Sequence, residues 1–447
     1  MPASLLVWSL TAVILLAVLT QRWWEPKLAA RGVNVHVYPW RWWLIGYPRV
    51  AFRMWWTWRR VCHINGLSVS FSPTQRVIGR NLVVQGTPLK PKTPLMGLPM
   101  PTRTGLRVRV RLHPGQTPAP YLAAAHAMEH AWEVHTVRVS SPVRGEVLIS
   151  VIPMDPLGRE ALPPAEGPGT LAVLVGRVED DAPWVLDLRH TPHWLVTGAT
   201  QSGKSTLLSA LVHGLARRRV ALVGIDCKGG VELGLYAPRL SALATDRTEA
   251  IRVLGSLVEL VRDRMRLCRA ASVRSVWDLR VEDQPVPVVV LVDEIAELYL
   301  TDGTKKDREE AELCGTLLLR LAQLGAALGV HLVLAGQRVG SDLGPKVTAL
   351  RSQLGGRVAH RSHDSASAEM TLGDVSPDAV VVAQSISEHE KGVAVVTTTG
   401  GQWMRARSNP VPAKDAAAEA ERNSSLTPPL PGIERKTRVM AGGETAG

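Results

Sequence analysis

Four short, largely apolar runs mark the chain from Trp194 onward: Trp194-Leu195-Val196, Val220 to Ile225, Val286 to Val292, and Val330 to Ala335. Runs of this kind read as strands buried on both faces, as in a parallel sheet. Between them lie segments with helical spacing, beginning at Thr206, Thr248 and Ala311. Strands alternating with helices predict an α/β fold, a doubly wound parallel sheet with polar residues gathered at the strands' C-terminal ends.

The pattern upstream is different. Gly105 to Leu112 alternates apolar residues with arginine, so it reads as a half-exposed strand whose arginines form a solvated face. Tyr121 to Val134 reads as a helix, and Thr136 to Ser140 and Gly145 to Ile152 as strands. A small α+β domain over 104–157 is expected. His126, His130 and His135 lack a partner motif and read as surface or packing residues.

Ser4 to Thr20 is 17 residues without a charge, at the short end for a membrane span. Trp8, Trp23 and Trp24 fit an aromatic belt, and Arg22, Lys27 and Arg31 place the chain beyond the span in the cytoplasm. Trp40 to Arg60 interleaves tryptophan with arginine. It predicts an interfacial amphipathic helix on the anionic leaflet, with a second membrane helix as the alternative. The expected organisation is a membrane anchor at 1–62, a linker region at 63–103, the small domain, the α/β unit at 170–408, and a disordered tail at 409–447. The chain is thus expected at the cell membrane with its bulk cytoplasmic.

Charge sharpens this division. The net charge is +12; residues 1–60 carry eight basic and one acidic residue, and 61–144 carry ten and two, so the rest sums to 12 − 7 − 8 = −3. The basic excess is membrane-proximal, which weakens a simple link from charge to nucleic acid. Four scattered cysteines form no C-x-x-C pair and suggest reduced thiols.

The chemistry sits at the ends of the apolar runs. Gly198-Ala199-Thr200-Gln201-Ser202-Gly203-Lys204-Ser205 is G-x-x-x-x-G-K-S between a strand and a helix, a phosphate-binding loop for ATP, with Thr206 next in line. Its glycines let backbone N–H groups face phosphate oxygens, Lys204 reaches the outer phosphates, and Ser205 holds Mg²⁺. Asp293-Glu294 ends the third apolar run. Asp293 is expected on Mg²⁺ and Glu294 as the base that activates water. Gln337, ending the fourth run, is expected to sense the γ-phosphate. Asp226 and Lys228 end the second, where a signalling role and a plain salt bridge are equally open.

These motifs resemble, in order, those of the FtsK/SpoIIIE group of DNA translocases, over about Thr170 to Met404. The matching stretches are His193 through Ser205, Gly224-Ile225-Asp226-Cys227-Lys228, Leu291 to Leu298, and Gly329 to Arg338. Leu112-His113-Pro114-Gly115-Gln116-Thr117 and the stretch after Gly355 resemble FtsK-like conjugal transfer proteins of actinobacterial plasmids and integrative elements. The resemblance implies a RecA-like P-loop NTPase motor that works as a homo-hexamer on double-stranded DNA, with accessory transfer proteins as partners. It also implies an arginine reaching the neighbouring subunit's site; Arg357 is the first candidate, then Arg361 and Arg351. Gly336, Val339 and Gln201 depart from the usual pattern at tolerant positions. No winged helix is evident after the motor. Conjugative DNA transfer is the leading expectation. The alternatives are a chromosome-segregation pump, an ATPase of type VII-like secretion, and a non-hydrolysing scaffold, the last opposed by Lys204, Asp293 and Glu294.

Overall fold

The computed structural model describes residues 42–69, 91–158 and 169–433, apart from 103, 181, 341–342, 345, 363, 374–376 and 398–402, together with positions 16 and 20. The chain divides into two compact units, Met1–Pro156 and Leu157–Gly447.

In the first unit a π-helical turn, Trp42–Gly46, leads into helix α1 (Tyr47–Ile64). Strands β1 (Leu95–Met96), β2 (Met100–Pro101) and β3 (Leu106–Arg111) follow, then helices α2 (Ala119–Ala123) and α3 (Ala125–Trp132), and strands β4 (Thr136–Ser140) and β5 (Glu146–Ile152). The sheet is antiparallel in the order β1-β3-β5-β4, with β2 also on β3. As the alternation dictates, β3 buries Leu106, Val108 and Val110 and exposes Arg107, Arg109 and Arg111.

Helix α1 removes the alternative of a second membrane helix. Val50, Met54, Trp58 and Val61 recur at helical spacing and are buried with Tyr121, Met128, Trp132 and the valines of β3 and β5. Trp58 Nε1 donates to Pro94 O at 3.0 Å, Trp132 Nε1 donates to Thr57 Oγ1 at 3.1 Å, and Arg53 pairs with Glu133. A helix with one stripe inside a domain core does not offer lipid an apolar surface all round. The expected linker is likewise structured in part: Leu67 is fully buried, Val69 bridges Lys92, and β1 and β2 pair with β3. Pro101 ends β2, where a missing N–H costs little. The single helix expected from Tyr121 is two helices meeting at Ala124. Among the described residues, no helix is long and apolar enough to cross a membrane. The apolar run at 4–20 lies, save Leu16 and Thr20, outside the described residues.

The second unit holds one ten-stranded sheet. Its elements in chain order are β6 (Ala172–Val178), β7 (Pro183–Asp187), β8 (His193–Thr197), α4 (Lys204–Ala216), β9 (Ala221–Ile225), β10 (Leu240–Ala244), α5 (Arg247–Ala270) and β11 (Val288–Val292). Then come α6 (Lys305–Leu324), β12 (Val330–Gly336), α7 (Val347–Gln353), β13 (Gly356–His360), α8 (Ser365–Leu372), α9 (Pro377–Gln384), β14 (Val393–Thr397), β15 (Trp403–Ser408) and α10 (Ala413–Arg422). The sheet order is β10-β9-β11-β12-β8-β13-β14-β15-β6-β7.

From β10 to β13 the strands are parallel, as the apolar runs predicted. From β13 through β14, β15 and β6 to β7 they are antiparallel. The sheet is therefore mixed rather than wholly parallel. Within this half, β6–β7 and β14–β15 are joined by direct reversal, while α8 and α9 lie between β13 and β14.

The tail is also not wholly disordered. Helix α10 packs Ala416 and Ala420, both fully buried, against the core under α4. Glu419 accepts from Arg217 Nε at 2.5 Å. A face of alanines allows close approach without apolar bulk, which is why its composition resembled disorder. Residues 434–447 lie outside the described residues.

Candidate nucleotide site

The phosphate loop runs from the end of β8 to the start of α4. Gly203 has φ +119° and ψ 3°, a conformation open to glycine. A Cβ there would also lie 2.5 Å from Gly392 Cα. Gly392 N donates to Ser202 O at 2.9 Å, and Ala199 N donates to Arg361 O at 2.9 Å. The back of the loop thus rests on the lead into β14 and on the residue after β13. Gln201 adopts a left-handed φ of 61°, so this position gives up its usual glycine at a modest conformational cost. Thr200, Gln201 and Ser205 are exposed at the mouth, while Gly198, Ala199 and Ser202 are buried behind it.

Three parallel strand ends converge on this mouth. Glu294 is 6% exposed and is the hub. Its Oε2 lies 3.3 Å from Lys204 Nζ and 3.6 Å from Lys228 Nζ. Its Oε1 accepts from the backbone N–H of Gln337 at 3.1 Å. Gly336, where threonine is common in the resembling group, leaves room for this: a Cβ would lie 3.0 Å from Glu294 Oε1. The Gln337 side chain is exposed. The open choice at Lys228 resolves into an ion pair with Glu294 in this state. Asp226 caps its own turn, accepting from Glu232 N at 2.8 Å and Leu233 N at 3.0 Å.

Asp293 sits beside this hub, 4% exposed, and its Oδ1 is buried with no protein partner. Burial raises its pKa above the ordinary carboxylate value; Lys204 pulls the other way and Asp226 adds to the rise. A buried carboxylate oxygen without a donor suits a divalent cation, and Ser205, exposed at a helix start, offers a hydroxyl to one. The strained Gly203 and the α4 N-terminus suit a polyphosphate. The residues therefore fit ATP with Mg²⁺.

Arg357 is held inside its own unit. It is 5% exposed, and its guanidinium donates to Leu354 O at 2.8 Å, Arg351 O at 2.7 Å and Thr371 O at 3.4 Å. It is a strut within its own unit, an arrangement that argues against the expected role. Arg361 pairs with Glu388 at 3.2 Å next to the loop of its own chain.

Two residues at the site escaped sequence reasoning. His360 is fully buried behind the loop; its Nδ1 lies 3.1 Å from Val393 O, and burial pulls its pKa down to about 4. Gly392 underlies Gly203. Neither belongs to a recognisable motif, because each is brought there by a sheet neighbour distant in sequence.

A sheet with this strand order and a lysine, a paired acid and a magnesium-ready aspartate at its ends define a P-loop ATPase. The comparisons agree. Residues 163–341 match the FtsK/SpoIIIE family, and residues 31–152 match the actinomycete conjugal transfer protein N-terminal domain. The transfer protein TraSA of Streptomyces ambofaciens is 42% identical over 344 residues, covering 74% of this chain and 83% of that one. A sporulation regulatory protein of Streptomyces azureus is 45% identical over 284 residues, covering 63% and 93%. Among solved structures, the pCW3 conjugation coupling protein TcpA, in a monomer form with ATPγS, shares the fold with a TM-score of 0.53 at 18% identity, over 75% of this chain and 94% of that one. The chain belongs to the FtsK/SpoIIIE family and carries the N-terminal domain of actinomycete conjugal transfer proteins.

Proposed function

We propose that this ATPase moves double-stranded DNA between cells in conjugation, held at the membrane and assembled as a homo-hexamer. The observation that carries the reading is the convergence of Lys204, Lys228 and Gln337 N–H on Glu294, in a chain 42% identical to a transfer protein. The uncharged run at 4–20 supports the membrane.

In the present state Lys204 and Glu294 neutralise each other. ATP draws the Lys204 ammonium onto its outer phosphates, which leaves Glu294 Oε2 with the more distant Lys228 alone. That oxygen can then take a proton from the attacking water while Gln337 N–H holds the other in place. Ser205 and Asp293 would hold Mg²⁺, which would neutralise phosphate charge. The exposed Gln337 side chain is left to feel the γ-phosphate. With Arg357 locked in its own unit and Arg361 beside its own loop, Arg351 is the remaining candidate for the neighbouring subunit's site.

The test is ATP turnover with and without long duplex DNA, paired with displacement of a third strand from that duplex. Turnover stimulated by duplex, and displacement abolished in Lys204→Ala, is the expected result. Turnover indifferent to DNA would remove the translocase reading and favour secretion of protein.

A further inference from the structure

Helix α1 has two unlike faces. One lies in the core of the first unit. The other carries Phe52, Trp55 and Trp56, exposed by 61%, 67% and 72%, with Trp43 and Leu44 exposed just before them. The Phe52 and Trp56 rings stack at 6.0 Å with an interplanar angle of 25°, so the aromatics form one shelf. Farther along the same face, at helical spacing, Arg59, Arg60 and His63 are exposed. No aspartate or glutamate lies between Trp42 and Ile64.

A shelf of this density is unfavourable in water and marks a contact surface. Its occupant must be apolar at one end of the helix and anionic at the other, a separation of roughly 10 Å at 1.5 Å per residue. An anionic bilayer supplies that order by depth: acyl chains, then the interface that aromatic rings favour, then phosphates that attract arginine. The uncharged run at 4–20 also precedes the aromatic end of α1, not the basic end.

We propose that α1 enters an anionic leaflet obliquely. The half around Trp43, Phe52 and Trp56 lies at the acyl boundary, and Arg59 and Arg60 lie at the lipid phosphates. The opposite face stays in the core of its own unit, so the small domain is seated on the bilayer by one of its own core helices. This rests on the membrane reading above and adds to it a surface, a depth and a tilt.

The experiment places nitroxides on the full chain at Phe52→Cys, Trp56→Cys or Arg60→Cys. The background is Cys227→Ser, since Cys227 is the one cysteine not fully buried. The protein is floated with vesicles containing phosphatidylglycerol, and accessibility to oxygen is compared with accessibility to an aqueous nickel complex. The oxygen preference is expected to fall in the order 52, 56, 60, and to weaken throughout in phosphatidylcholine vesicles. Water-like values at all three sites, in protein that still floats, would overturn the inference and leave the membrane anchor standing. Dipolar coupling between labels at position 56 without lipid contact would overturn it too, by assigning the face to a second copy of the chain. Protein that fails to float overturns both readings.

Discussion

Lys204 and Glu294 hold each other: Nζ lies 3.3 Å from Oε2, with Lys228 standing 3.6 Å from the same oxygen. The group that binds phosphate and the group that activates water are therefore coupled before any nucleotide arrives. Glu294→Gln should keep nucleotide affinity and lower turnover by about 10²- to 10⁴-fold, the usual worth of a general base. Lys204→Ala should lose both affinity and turnover. Nucleotide binding measured beside steady-state hydrolysis separates the two. A Glu294→Gln protein that turns over normally would remove Glu294 from the chemistry.

Gly203 and Gly392 make a second prediction. A Cβ at Gly203 is strained by its φ of +119° and would lie 2.5 Å from backbone, whereas one at Gly392, with φ +81°, would meet nothing closer than 3.8 Å. Gly392→Ala should cost only the left-handed penalty, about 1–2 kcal/mol. Gly203→Ala should cost more and should also weaken ATP binding. Chemical denaturation and nucleotide titration of both variants check the order.

Arg357→Met should behave as a folding variant. Removing the guanidinium leaves buried carbonyls at Leu354 and Arg351 without their donor, at a cost of at least ~2 kcal/mol. The unfolding midpoint should fall by roughly 4–8 °C. An unchanged midpoint with turnover lost would restore Arg357 as a residue acting across subunits.

Acid should loosen the motor through three histidines. Burial pulls the pKa values of His193, His331 and His360 down to about 4, so the folded state keeps them neutral. Each has a folded pKa below its unfolded value near 6.5. The unfolded chain therefore binds more protons between these limits, and stability is lost as pH falls through that window. The slope approaches ~1.4 kcal/mol per pH unit for each histidine. Denaturant midpoints at pH 7 and pH 5 should differ accordingly, and His360→Gln should flatten part of the slope.

Helix α10 should matter to stability. Ala416→Asp puts a carboxylate into a fully buried position beneath α4 and should undock the helix. Limited proteolysis should then cut after Ser408 at least tenfold faster. Equal cleavage rates would mean that the helix contributes little.

The nucleotide site was legible because its parts are local: a glycine loop before a helix, and acids at the ends of apolar runs. Lys204, Asp293 and Glu294 meet because parallel strands bring their C-terminal ends together. Gly392 and His360 were not legible, since each reaches the loop through a pairing between β13 and β14. The antiparallel strands β14 and β15 left only short and mixed patterns. In α1 the stripe of Val50, Met54, Trp58 and Val61 was present in the sequence, but the tryptophans drew the reading toward lipid alone. Arg357 had the right neighbours in sequence for a catalytic role, and only burial exposes it as a strut.

The pairing of Val178 in β6 with Ala406 in β15 has a consequence for how the motor is made. The first strand of the ATPase unit waits for the last before the sheet is complete. Contacts this distant in sequence slow folding, and they leave strand edges open in the interval. A growing chain could complete the phosphate loop and its acids early, yet it would lack the Gly392 backing of that loop until β14 had emerged. Assembly on the ribosome would thus hold the nucleotide site unfinished until the whole unit is made.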